Sequence, residues 1–203
     1  YIFTKIFKKA DKIIVNSLEF QKQFKKKFGV KTECIYNPLN KKEILKKSKI
    51  EINLNFFKDS KKLKILNIGR FTDQKDHHTL LESIKILKNK YKLNFILLIM
   101  GRGKNKKDIQ NFINKNNLNL NVKVIGFKKN PYKYIRHCNL FVLSSRFEGL
   151  PNVLLEAITL KKFVISANCP TGPSEILNNG KGGLLFKTGS PNDLAKKIIY
   201  YCN

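Results

Sequence analysis

Two glutamates separated by seven residues lie in the stretch RFEGLPNVLLEAITL, residues 146–160. Glu148 follows a short polar run, whereas Glu156 is surrounded by apolar residues that a core-facing helix would carry. Ionised carboxylates accept hydrogen bonds from hydroxyl groups. We therefore expect both acids to contact a ligand, with hydroxyls of that ligand reaching Glu148 at one side and Glu156 at the other.

An anion site is predicted between these two acids. Pro151 suits the first turn of a helix, because its fixed φ fits there and no hydrogen-bond donor is lost. Glu156 would lie inside that helix, about 7 Å further along the axis. Unpaired N–H groups at a helix N-terminus bind anions. Three residues would contribute such groups: Gly149, Leu150 and Asn152.

Two cations that suit phosphate occur in an earlier loop, GRFTDQK, residues 69–75. Arg70 offers a planar fork of donors and Lys75 a point charge, and both fit phosphate oxygens. Only four of the 41 basic residues are arginines, so an arginine directly after a strand indicates a need for its geometry. Hydroxyls on both sides of a diphosphate are the chemistry of a nucleotide-sugar.

From residue 63 onward, apolar strands alternate with amphipathic helices. Six unbroken apolar strands that alternate with helices predict an α/β fold with a doubly wound parallel sheet of Rossmann-like type, which binds ligands beyond the carboxyl ends of its strands. The predicted strands are 63–69, 94–101, 122–127, 139–145, 163–169 and 182–188. The predicted helices are 76–91, 107–117, 130–138, 151–160, 172–179 and 190–201.

The first 62 residues have a different organisation. Residues 8–38 read as strand, helix and strand, which indicates part of a second α/β domain. Residues 37–62 are charged and are predicted to be an irregular linker. We therefore divide the chain into the tail of an N-terminal domain (1–36), a linker (37–62) and a C-terminal ligand-binding domain (63–203).

Composition excludes several classes of protein. The four cysteines are far apart and form no CxxC pair, and no apolar run is long enough to span a membrane. The turn GRGKNK, residues 101–106, lacks the third glycine of a dinucleotide fingerprint, and no P-loop motif occurs. The net charge of +27 has two interpretations. One is an AT-rich genome that supplies lysine wherever a solvated charge is tolerated, and the other is attraction of the protein to an anionic membrane face. No motif supports nucleic-acid binding.

Four ordered segments resemble one known family. EGLPNVLLE (148–156) resembles the E-x7-E motif of retaining glycosyltransferases of family 4, whose fold is called GT-B. GRFTDQKDHHTLLES (69–83) resembles that family's phosphate-binding G-R-x4-K region. NCPTGPSEILNNGKGGLLF (168–186) resembles its segment after the next strand, and ADKIIVNS (10–17) with IYNP (35–38) resembles its approach to the interdomain linker.

The resemblance implies a role for each matching residue. Glu148 would contact hydroxyls of the donor sugar, and Glu156 would hold the ribose. Arg70 and Lys75, beside Gly69, would neutralise the diphosphate and the charge that develops on the leaving nucleotide. Phe127 would lie against the base or within the core. Family members retain the anomeric configuration and generally use no metal, so no metal or other cofactor is expected.

The sequence departs from the family pattern in two respects. In this family the acceptor site, and usually a histidine near the reacting centre, belong to the N-terminal domain. About the first third of a typical member is absent here, so we expect the chain to be the donor-binding half with a remnant of the acceptor half. Relatives often carry a basic residue where this chain has Ser174, and Glu175 is either a further donor contact or a helix-capping acid. His77 and His78 start a helix and are assigned no acid–base chemistry.

These features predict a glycosyltransferase that uses a nucleoside-diphosphate sugar, with UDP favoured by analogy. A glycan or lipid-linked acceptor in bacterial surface polysaccharide, lipopolysaccharide or glycolipid synthesis follows from the same analogy. The widely spaced cysteines fit the reduced thiols of a cytoplasmic protein, and under the second interpretation of the charge the lysines hold it at the inner face of the membrane. Two alternatives stay open. One is a nucleotide-binding or regulatory module without catalysis. The other is a basic peripheral protein whose charge, rather than its cleft, carries its role.

Overall fold

The N-terminal part of the chain forms a small α/β unit. The structure, a computed structural model, describes residues 6, 7, 9–57, 59 and 61–203. Strands β1 (Ile14–Val15) and β2 (Glu33–Cys34) pair in parallel, and helix α1 (Leu18–Phe28) connects them. This unit confirms the predicted second α/β element, although residues 1–5 and 8 of the segment 1–36 lie outside the described residues.

The prediction of an irregular linker over residues 37–62 was wrong for part of that segment. Helix α2 (Lys41–Ser48) forms there, followed by a 3₁₀-helix, Asn55–Phe57. Asn40 caps α2 by accepting a hydrogen bond from the backbone N–H of Glu43 at 3.0 Å. Ile44 and Phe57 are both buried in a core layer of the larger sheet. Residues 58 and 60 of this segment are not among those described.

Six parallel strands form the main sheet, as the sequence predicts. The strands Phe95–Met100 and Leu140–Leu143 are apolar and buried along their whole length, because helices cover the sheet on either side. The order across the sheet is β5-β4-β3-β6-β7-β8. The strands are β3 (Leu63–Ile68), β4 (Phe95–Met100), β5 (Val122–Ile125), β6 (Leu140–Leu143), β7 (Phe163–Ala167) and β8 (Leu184–Phe186).

Six helices connect or follow these strands and bury two separate core layers. Alternate strand residues point to opposite faces, so Ile65 belongs to one layer and Leu66 to the other. Helices α3, α4 and α8 cover the first layer, and α2, α5 and α6 cover the second. The six are α3 (His77–Asn89), α4 (Lys106–Lys115), α5 (Tyr132–His137), α6 (Asn152–Thr159), α7 (Pro173–Ile176) and α8 (Pro191–Cys202).

The strand order creates a crevice at the centre of the sheet. Strands β3 and β6 are neighbours, but the chain leaves β3 towards β4 and leaves β6 towards β7, on the opposite side. Ligands bind at such a topological switch point, outside the carboxyl ends of the strands. The two loops that border it are residues 69–76 and 144–151, which contain the predicted cations and the first glutamate.

Candidate functional site

Lys75 and Glu148 meet at the switch point between β3 and β6. The ammonium group of Lys75 forms an ion pair with Oε1 of Glu148, and their side chains are only 14% and 8% exposed. The hydroxyl of Ser145 donates a second hydrogen bond to the same carboxylate oxygen at 2.6 Å. Glu148 is therefore held in one orientation, with Oε2 left to accept hydrogen bonds from a ligand.

The loop that carries Lys75 is fixed by close backbone packing. A Cβ at Gly69 would lie 3.3 Å from Cδ of Lys75, so the lysine stem packs closely over this glycine. Ser144 donates a hydrogen bond to the carbonyl of Lys75 at 2.9 Å. Lys75 is thus positioned from both loops, and its remaining N–H donors are available to a phosphate.

Arg70 lies at the exposed rim of the same crevice. Its guanidinium donates to Oε1 of Gln74 at 3.2 Å, and Gln74 in turn donates to the carbonyl of Phe147 at 2.9 Å. The N–H of Arg146 donates to the carbonyl of Gln74 at 2.8 Å. Gln74 therefore ties the two loops together. Gln74 and Ser145 were not predicted from the sequence, since neither residue type is diagnostic of a site on its own.

The helix after Glu148 begins one residue later than predicted. Pro151 is the N-cap residue of α6, with φ −73° and ψ 98°, rather than its first helical residue. The peptide before Asn152 is therefore extended, and no side chain caps the helix. Within the described part of the chain, no acceptor is bonded to the backbone N–H groups of Gly149, Leu150 and Asn152. These groups can bind an anion, as predicted.

Glu156 lies half-buried on α6, and its carboxylate forms no hydrogen bond or ion pair with any described residue. Burial raises the pKa of this carboxyl group to about 7. The ring of Tyr132 is close enough for the Glu156 charge to contribute to the raised pKa of that phenol, after burial. A half-buried carboxylate without a protein partner suits a ligand that donates hydroxyl groups.

Phe127 lines a separate cavity of about 300 Å³ that opens beside Gly69 and Arg70. The ring is 60% exposed, so the alternative of a core position is wrong. The guanidinium of Arg102 lies 5.2 Å from the centre of the ring. Arg70 therefore lies between two parts of the site. The crevice with Lys75 and Glu148 is on one side of it, and the cavity lined by Phe127 is on the other.

Glu175 contacts the N-terminal unit. Its carboxylate accepts hydrogen bonds from the N–H groups of Leu18 and Glu19, both at 3.0 Å, and from the hydroxyl of Tyr36 at 2.5 Å. Of the two roles considered for it, the structure supports capping, although the helix that it caps is α1. Ser174 donates to Oδ1 of Asn179 at 2.9 Å.

The two histidines lie outside the crevice. His77 is 4% exposed and packs its ring against Phe71, and neither ring nitrogen has a hydrogen-bond partner among the described residues. Burial is the main reason that the pKa of His77 falls to about 4. His78 is exposed and packs against Phe112. Neither contacts Glu148, which is consistent with assigning them no acid–base chemistry.

The described residues offer neither a metal cluster nor a membrane-spanning helix. They contain no group of three or more His, Cys, Asp or Glu side chains that could hold a metal ion. None of their helices is both long enough and apolar enough to cross a bilayer. The expectation that no metal takes part stays a prediction.

Comparison with known proteins places the chain in a family. The profile of the family "Glycosyl transferases group 1" matches residues 48–203. An uncharacterized glycosyltransferase of Methanocaldococcus jannaschii is 42% identical over 84% of this chain and 43% of its own length. The N-acetylgalactosamine-N,N'-diacetylbacillosaminyl-diphospho-undecaprenol 4-alpha-N-acetylgalactosaminyltransferase of Campylobacter jejuni is 30% identical over 96% of this chain and 51% of its own.

Solved structures show the same fold. A point mutant of TarM from S. aureus, crystallised with Fondaparinux, alpha-GlcNAc-glycerol and UDP, superposes with a TM-score of 0.82 at 23% identity. The match covers 98% of this chain and 38% of TarM. The chain spans about half the length of the curated relatives named above. With this GT-B-type fold and the match over residues 48–203, the chain belongs to the glycosyl transferases group 1 family.

Proposed function

We propose that this chain binds a nucleoside-diphosphate sugar, with UDP as the nucleotide, for a retaining hexosyl or N-acetylhexosaminyl transfer. The observation that carries the proposal is the buried pair of Lys75 and Glu148 at the switch point, with Arg70 tied to the same two loops through Gln74. A carboxylate and two cations at this edge suit a ligand that combines hydroxyls with a diphosphate. The presence of UDP in the TarM complex supports the same ligand class.

Each polar group has a defined task in this proposal. The free N–H groups of Gly149, Leu150 and Asn152 and the donors of Lys75 and Arg70 bind the diphosphate. Oε2 of Glu148 accepts hydrogen bonds from sugar hydroxyls. When the bond between the anomeric carbon and the phosphate oxygen breaks, negative charge develops on the nucleoside diphosphate. The cations stabilise that charge because they are already in place.

Glu156 binds the ribose in this proposal. Its carboxylate is half-buried and has no partner in the described part of the chain, so two ribose hydroxyls would satisfy it. Binding would then favour the ionised form, and a proton would leave the site as the nucleotide enters. Binding of the ribose hydroxyls should therefore lower the raised pKa of Glu156.

The wider setting is part of the same proposal. Residues 63–203 bind the donor, residues 1–36 belong to the acceptor side and residues 37–62 connect the two. The acceptor is a glycan or a lipid-linked sugar in surface polysaccharide, lipopolysaccharide or glycolipid synthesis. The name of the Campylobacter relative, which gives a diphospho-undecaprenol-linked acceptor for that enzyme, supports the lipid-linked class. The protein acts in the cytoplasm at the inner face of the membrane, because a net charge of +27 is attracted to the anionic lipids of that face.

Thermal unfolding with UDP, GDP, ADP and inorganic diphosphate tests the donor site. A nucleotide at a hundred times its dissociation constant should add about 2.7 kcal/mol to the free energy of unfolding. We expect UDP to stabilise the protein, Glu156→Ala to abolish the effect and Glu51→Ala, at an exposed position, to leave it intact. Inorganic diphosphate controls for the binding of any polyanion to a basic protein.

The outcomes separate the alternatives. Equal stabilisation by inorganic diphosphate and UDP, unaffected by Glu156→Ala, would contradict the proposal and favour a role carried by charge alone. UDP binding without release or transfer of sugar from a UDP-sugar would favour a nucleotide-binding module. No stabilisation by any of the nucleotides would show that the chain has no donor site.

A further inference from the structure

Arg102 occupies a turn whose backbone is fixed by two glycines. A Cβ on Gly101 would overlap the carbonyl oxygen of Gly69, and one on Gly103 would overlap that of Phe71. The N–H of Phe71 donates to the carbonyl of Arg102 at 2.8 Å. The turn after β4 is therefore packed directly against the loop that carries Arg70, and the position of Arg102 relative to that loop is set by the backbone.

The hydrogen-bond donors of Arg102 are available to a ligand. The side chain is exposed and forms no ion pair or side-chain hydrogen bond with any described residue. Its guanidinium lies 5.2 Å from the centre of the exposed ring of Phe127. Arginine keeps a planar set of donors in such a position and lysine does not. Most positive charges of this chain are lysines, so an arginine at this position indicates a need for the planar donors of a guanidinium group.

The cavity beside this pair combines apolar walls with positive charge. Ile68, Met100, Phe127 and Pro131 line the cavity of about 300 Å³. The charged side chains in its lining are Arg70, Arg102 and Lys128, and its lining includes no acidic side chain. Guanidinium and ammonium groups donate hydrogen bonds and cannot accept them. The side chains of the cavity therefore favour a flat ring that carries acceptor oxygens over one that carries amino groups.

We infer that Arg102 determines base specificity, by donating to a carbonyl oxygen of a pyrimidine that stacks on Phe127. This inference rests on the proposed donor site, since Arg70 joins the cavity to the diphosphate region. Uracil has a carbonyl oxygen where cytosine, of almost the same size, has an amino group. With cytosine, two sets of donors would face each other, and Arg102 would be left without a partner. The donor is therefore a uridine nucleotide and not a cytidine nucleotide.

Calorimetric titration of the 203-residue chain with UDP and with CDP tests the inference. Wild type should bind UDP at least about tenfold more tightly, because a hydrogen bond to a charged group at an exposed site is worth about 1.5 kcal/mol. Arg102→Ala should bring the ratio of the two affinities close to one. Arg136→Ala removes the same charge at an exposed site outside the cavity and should leave the ratio unchanged.

Two further results complete the test. Arg102→Lys keeps the charge, so a ratio that falls in this variant while UDP still binds would attribute selectivity to the guanidinium itself. A ratio near one in wild type, or a ratio that Arg102→Ala does not lower, would overturn the inference and leave the donor site standing. Failure of both nucleotides to bind would overturn the donor site and this inference together.

Discussion

Lys75 and Glu148 are 73 residues apart in the chain, yet they form the most buried ion pair among the described residues. Both side chains come from loops that follow neighbouring strands of the sheet, and Ser145 donates to the same carboxylate oxygen. A buried ion pair costs desolvation energy that its mutual attraction must offset. Its place at the switch point indicates that the pair is kept for ligand binding rather than for stability.

The Lys75–Glu148 pair should show strong coupling in a double-mutant cycle. Lys75→Met or Glu148→Gln alone leaves one partner unsatisfied, so each should lower the free energy of unfolding by about 3 kcal/mol. The double variant should lose less than the sum, with a coupling of about 1 to 3 kcal/mol measured by urea unfolding. The exposed pair Lys47–Glu43 is the matched control and should couple by about 0.5 kcal/mol or less. Equal coupling energies in the two cycles would contradict the conclusion that burial makes Lys75 and Glu148 depend on each other.

Glu156→Gln should stabilise the free protein and weaken nucleotide binding. The pKa of Glu156 rises to about 7 in the folded state from an ordinary 4.5, so the folded state prefers the protonated acid. Wild type therefore loses stability as the pH rises from about 4.5 to 7, and the variant does not. We expect the variant to gain about 1 to 3 kcal/mol at pH 8 and little at pH 4, measured as urea midpoints at both values. The same gain in stability at both pH values would rule out ionisation of Glu156 as its cause.

His77→Leu should make the protein less sensitive to acid. Burial lowers the pKa of His77 to about 4, so between pH 6.5 and 4 the unfolded chain takes up a proton that the folded chain does not. Wild type therefore loses stability as the pH falls through this window, by roughly 2 to 3 kcal/mol at pH 4.5. The difference between variant and wild type should grow by that amount from pH 7 to pH 4.5. A difference between His77→Leu and wild type that stays constant over this pH range would refute the prediction.

Glu175→Gln should loosen the start of α1. The carboxylate binds the N–H groups of Leu18 and Glu19, whereas the N–H of Phe20 is bonded to Ser17. An amide side chain has one acceptor oxygen and no charge, so at most one of the two hydrogen bonds survives. Hydrogen exchange at Leu18 or Glu19 should accelerate about tenfold, which corresponds to roughly 1.4 kcal/mol. Phe20 is the internal control, and unchanged exchange at both residues would contradict the capping role.

The sequence predicted the parallel sheet and the edge at which ligands bind, because the determinants of both are local. Unbroken apolar strands imply a sheet covered on both faces, and alternation with helices implies parallel strands. Once β3 and β6 are neighbours, the loops after them must meet, and this brings Lys75 to Glu148. The helix Lys41–Ser48 was missed because only two of its residues are buried, Ile44 and Ser48, so no apolar periodicity reveals it.

The contacts between the two parts of the chain could not be predicted in this way. Glu175 pairs with N–H groups more than 150 residues away, and a backbone N–H leaves no signal in a sequence. Gln74 likewise joins two loops through backbone carbonyls and N–H groups, which every residue possesses. Arg102 could be singled out by its rarity, but its position over Phe127 depends on how two glycine turns pack.

The hydrogen bonds between α1 and the loop after β7 also make a mechanical connection to the donor site. Glu19 accepts from the N–H of Gly172 at 2.9 Å, and the next residue back, Thr171, donates to the carbonyl of Glu148. These bonds are arranged in series, so a force that draws α1 away from the large sheet is carried through one loop to Glu148. An acceptor that moves the N-terminal unit would thus change the tension on the residue assigned to the donor sugar.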